Sequence, residues 1–160
     1  MIFSPASYGP AVEGFLTGAQ GPSHLATAEA LTLFPGAPHP REALAGLWLL
    51  FDDLDRSHTA SQELSSTEAA FWHGIMHRRE TDPSNAAYWF RRVGRHGVFP
   101  ALREAAVGAG YRSKGADWDP FAWIDYWEIA RRKPGSAGVC DIKVEVKPPG
   151  AHPSSPRIGH

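Results

Sequence analysis

Sixteen glycines and fourteen prolines punctuate the 160 residues of this chain, so its ordered elements must be short and separated by many turns. Between these breaks the apolar residues recur at helical spacing. From Arg41 onward, Leu44, Leu47, Trp48, Phe51 and Leu54 follow one another at three and four residues, and Pro40 suits a first helical turn because its missing N–H is not needed there. Asp52-Asp53-Leu54-Asp55 reads as a tight connection into a second helix running towards Glu63. Ser65 stands three residues before Glu68, the spacing of a capping box, and predicts a helix to about Arg79. Asp82-Pro83 and Asp119-Pro120 each place an N-cap aspartate before a proline suited to the first helical position. Helices are therefore expected from Asp82 to Gly94 and from Asp119 to about Lys133, with a shorter one between Pro100 and Val107.

The expected fold is all-α: short helices packed as antiparallel hairpins, either tetratricopeptide-like or as an irregular bundle. Three regions emerge. Residues 1–40 carry short helices near Tyr8 to Leu16 and over His24 to Phe34, residues 41–133 form the helical-hairpin core, and residues 134–160 form a Pro/Gly-rich flexible tail. In that tail Ile142, Val144 and Val146 alternate with charged residues at strand period, but with no partner strand in view. An internal repeat relates Gly46 to Gly74 and, at the same spacing, His58 to Ala86, positions where two paired helix backbones would approach closely.

Charge is segregated. Residues 1–72 carry two basic against eight acidic side chains, whereas residues 73–96 carry five arginines against Glu80 and Asp82. Arginine forks match carboxylate and phosphate, so an anion-binding face is one reading and pairing with the preceding acidic helices the other. The net charge of −1 and the absence of lysine among these arginines argue against nucleic acid as partner. One cysteine, Cys140, excludes a disulfide framework and a cysteine-rich zinc site. No apolar run reaches the ~20 residues of a membrane span and no signal peptide is visible, so the expectation is a cytoplasmic protein with no membrane partner.

The chemistry concentrates in Trp72-His73-Gly74-Ile75-Met76-His77-Arg78-Arg79-Glu80. His73 and His77, one turn apart, share a helix face with Glu80, and their Cβ atoms should lie about 5–6 Å apart, which suits two ligands of one metal ion such as zinc. His58 from the preceding hairpin or Glu80 would supply a third ligand. The zinc-protease pattern is not met, because Gly74 stands where that pattern needs its glutamate base. On the next helix, Asn85, Tyr88 and Arg92 share a face. They form either a solvated surface or the wall of a pocket with His73, His77 and Arg78, with Arg78 reaching it from the rim. No Gly-rich phosphate loop, nucleophile elbow or catalytic triad is present, so no reaction is assigned.

The run His73 to Glu80, followed by Asp82, Asn85, Tyr88-Trp89-Phe90-Arg91-Arg92-Val93-Gly94 and His96, resembles the signature of a family of small helical proteins of bacteria and fungi. Leu54-Asp55, His58 and Gln62 upstream, and Trp118-Asp119-Pro120-Phe121 downstream, extend the resemblance over about residues 41–133. That family brings no established activity. The resemblance implies a polar set of His58, Gln62, His73, His77, Arg78, Arg79, Glu80, Asn85, Tyr88 and Arg92. It also implies a further amphipathic helix beyond Lys133, where this chain instead becomes rich in proline and glycine. Two functions compete. One is a pocket for a small anionic ligand or a metal ion; the other is a hairpin module whose arginine-rich face takes an acidic protein segment.

Overall fold

The computed structural model describes residues 9–112 and 115–132, and among these the chain is helical throughout, with no strand. Nine helices follow in order: α1 (Pro10–Leu16), α2 (Pro22–Leu25), α3 (Ala30–Leu33), α4 (Pro40–Leu50), α5 (Leu54–Gln62), α6 (Thr67–Arg79), α7 (Pro83–Val93), α8 (Phe99–Gly108) and α9 (Pro120–Arg131). They pack as an irregular bundle. The expected tail, residues 134–160, with its strand-like alternation and Cys140, lies outside the described residues.

The caps expected at Asp82 and Asp119 form, and that of α6 shifts by one residue. Asp82 and Asp119 accept backbone N–H bonds at 2.9–3.2 Å from the first turns of α7 and α9, and Asp53, within the expected tight connection, caps α5 in the same way at 3.0 Å. For α6 the N-cap is Ser66 rather than Ser65: its Oγ accepts from the Ala69 N–H at 3.1 Å. The same hydroxyl donates to the buried carboxylate of Glu42 at 2.6 Å, while Glu68 turns towards His39 at 3.4 Å instead of closing a capping box. The expected helix over His24 to Phe34 is broken into α2 and α3. Thr27 ends the first of them, its hydroxyl donating to the His24 carbonyl at 3.1 Å.

The centre of the fold is two successive helical hairpins, α4–α5 and α6–α7, with α5 packed against α6 and α9 against α7. Both hairpins turn in the same way. The residue after each first helix's C-cap has positive φ (Asp52 at 60°, Thr81 at 67°), and the N–H that follows reaches back to the last turn of that helix, Asp53 to Trp48 O and Asp82 to His77 O. These matched turns set Asp52 against Thr81, an offset one longer than the expected pairing of Gly46 with Gly74. Ala45 then answers to Gly74 and Ser57 to Ala86, all four small and buried. The expected pairing of Gly46 with Gly74 and His58 with Ala86 is thus off by one. A Cβ on Gly74 would stand 3.0 Å from the ring of Phe90 within its own hairpin, whereas one on Gly46 would strike Trp72 of α6 at 2.7 Å. The shift frees His58 from the close-approach position and turns it towards α6.

The main core joins Leu49, Phe71, Ile75, Met76, Ala86, Phe90 and Val93 to Leu102 and Ala106 of α8 and to Trp123 and Ile124 of α9. A second cluster seats Val12, Phe15, Leu25 and Leu33 against Leu47 and Trp48 of α4. Arg79 ties the hairpins together: its guanidinium donates to the Leu49 carbonyl at 2.5 Å and to Asp52 at 2.6 Å. Among the described residues no helix is long and apolar enough to cross a membrane.

Candidate functional site

Three imidazoles meet where α5 lies against α6. His73 and His77 stand one turn apart on α6, rings nearly parallel (18°) with centroids 5.1 Å apart. His58 comes from α5 and sets its ring edge-on to both, at 4.7 Å from His73 and 5.6 Å from His77. One nitrogen from each lies within 4.8 Å of the others. A shared site requires the first helices of the two hairpins to lie side by side, and α4 does pack against α6. The imidazoles themselves meet where α5, the second helix of the first hairpin, also lies on α6.

Each ring of α6 has a polar partner at Nδ1. Ser61, fully buried, lies within hydrogen-bond distance of the Ser57 carbonyl (2.9 Å) and the His58 carbonyl (3.2 Å), and its hydroxyl oxygen stands 3.4 Å from His73 Nδ1. The Glu80 carboxylate accepts from His77 Nδ1–H at 3.1 Å, which leaves the lone pair of neutral His77 on Nε2. His73 is only 2% exposed. Burial, reinforced by the neighbouring His58 and His77, lowers its pKa from 6.5 to about 4, so it is a neutral donor throughout the physiological range.

On its other side His73 stacks on the indole of Trp89 from α7, centroids 4.0 Å apart and rings 11° from parallel. Trp89 and Ser61 are the two members of the site that sequence reasoning did not single out. A signal for Trp89 is present. His73 and Trp89 stand at the same separation along the chain as Gly74 and Phe90, the pair that meets across the α6–α7 hairpin.

The remaining expected residues do not converge. Arg78 does not reach the site from its rim: it is 2% exposed and points the other way, its guanidinium 5.4 Å from the Trp127 ring of α9. Asn85 is exposed, its amide donating to the Asp82 carboxylate at 2.7 Å as part of the α7 cap. Gln62, the last residue of α5, is exposed. Tyr88 is 47% exposed, and Arg92 lies over its ring at 5.9 Å and over Trp89 at 5.4 Å. Glu80 orients His77 and does not stand in the three-nitrogen group.

Three ligands of a tetrahedral zinc at 2.0–2.1 Å are about 3.4 Å from one another. The longest separation in this cluster must therefore shorten by up to about 1.4 Å to close on an ion, within reach of rotations of the half-buried His58 and His77. Three imidazoles leave a fourth position for water or a small anion. No protein-family model, curated protein or solved structure matches the chain. The resemblance to the helical family therefore rests on the motif residues alone.

Proposed function

We propose that this protein binds a divalent transition-metal ion, of the zinc class, through His58, His73 and His77, with a fourth position open to water or a small anion. The observation that carries this reading is the convergence of three imidazole nitrogens from two helices, two of the rings already oriented by hydrogen bonds on Nδ1. Outer partners such as Ser61 and Glu80 are what metal-ligating histidines ordinarily have. The neutral state forced on His73 by burial suits a ligand, because protonated imidazole cannot bind metal. Carboxylate-held helix histidines with no metal need no third imidazole from a neighbouring helix. An anion pocket built from Arg78 and Asn85 lacks support, since both side chains are engaged elsewhere. Binding, rather than a reaction, is the function proposed: the nearest carboxylate, Glu80, is already committed to His77.

Calorimetric titration of chelator-stripped protein with Zn²⁺ tests the proposal. One equivalent should bind, and His58→Ala, His73→Ala and His77→Ala should each weaken it at least 100-fold, while Glu80→Gln should weaken it about 10- to 100-fold. Binding that survives all three histidine substitutions would overturn it.

A further inference from the structure

On another face of the molecule, a groove of about 760 Å³ runs between the C-terminal end of α7, the start of α8 and the segment leading into α9. That volume lies within the range of small-molecule sites. Arg91 of the last turn of α7, Arg95 just beyond its C-cap Gly94, and Arg103 of α8 all line it. Arg91 and Arg95 are exposed, and among the described residues neither forms an ion pair with a carboxylate. Arg103 is held in place by the Gly115 carbonyl at 3.3 Å, and its Nε is buried with no hydrogen-bond partner among the described residues.

Two aspartates, Asp117 and Asp119, also line the groove, and Asp119 Oδ1 is engaged by the N–H groups of Phe121 and Ala122. Three arginines against these two carboxylates leave the groove with a net charge of +1. Its apolar lining includes two aromatic rings, Phe99 half-buried and Phe121 exposed. Guanidinium groups select for oxygen anions, and exposed rings beside them select for a planar partner.

We infer that this groove binds a small anion carrying a planar ring, of the nucleoside phosphate class. The arginines hold the phosphate oxygens and the ring lies against Phe121 and Phe99. The site is separate from the histidine cluster and shares no residue with it.

Equilibrium titration of the full chain with ATP, in the absence of divalent metal, tests this inference, with tripolyphosphate and adenosine as its two halves. ATP should saturate a single site, and each half should bind at least tenfold more weakly. The double variant Arg91→Ala/Arg95→Ala should lose ATP at least tenfold, whereas Arg41→Ala, an exposed arginine of α4, should leave it unchanged. Phe121→Ala should weaken ATP and not tripolyphosphate. Absence of saturable binding, equal loss in Arg41→Ala, or tripolyphosphate binding as tightly as ATP would each overturn it. Loss of zinc binding with retained ATP binding, or the reverse, separates this inference from the metal proposal.

Discussion

Protonation of His73 should weaken the fold in a defined window of pH. Its pKa is 6.5 when exposed and about 4 in the folded chain, because burial and the adjacent His58 and His77 disfavour the charged ring. Between these values the unfolded chain holds the extra proton, so stability must fall as pH is lowered from 6.5 towards 4 and stay constant in this respect above 6.5. A shift of this size is worth about 3 kcal/mol at about 1.36 kcal/mol per unit. Water reaching the partly exposed His58 and His77 screens part of it, leaving about 2 kcal/mol. Carboxylates elsewhere titrate in the same range, so the measurement must be a difference. Urea unfolding at pH 7, 5.5 and 4.5, with chelator present, should be run on the natural chain and on His73→Phe, which keeps a ring against Trp89 without a titrating nitrogen. Between pH 7 and 4.5 the natural chain should lose more stability than the variant, by the screened amount. Parallel pH profiles would refute the buried, neutral state of His73.

Three substitutions probe the hairpins that hold the cluster. Gly74→Ala places a methyl 3.0 Å from the buried Phe90 ring and should cost about 1–3 kcal/mol in chemical denaturation, since neither helix can withdraw without opening the core. Arg79→Met removes the bonds to the Leu49 carbonyl and Asp52 that join the hairpins and should cost about 1.5–3 kcal/mol, read by thermal or urea unfolding. Thr81→Gly should stabilise by about 0.5–1 kcal/mol, because a β-branched residue there holds a φ of 67° where glycine is the usual occupant, and a lowered melting temperature would contradict that assignment of strain.

Much of this architecture is legible in the sequence because helix ends are local. Asp82, Asp119 and the prolines beside them announce their helices through bonds made within a single turn. The grouping of His73 with His77 follows from one turn of one helix in the same way. What stays hidden depends on register between helices. Matching Gly46 with Gly74 puts His58 at a helix–helix contact, and a slip of one position puts Ser57 there and His58 over α6. Trp89 serves as the surface on which His73 lies, and the buried Ser61 has no feature in the sequence that sets it apart from other helical serines. Arg78 escapes a local reading because its surroundings come from Trp127 of α9, remote from it along the chain.

X-ray absorption at the zinc edge, on protein loaded with one equivalent of Zn²⁺, tests the metal centre most directly. Three imidazole nitrogens at about 2.0–2.1 Å and one further light atom are expected, with the imidazole scattering reduced in His58→Ala. Failure to take up a stoichiometric ion, or an imidazole signal unchanged by the loss of His58, would contradict a site shared by α5 and α6.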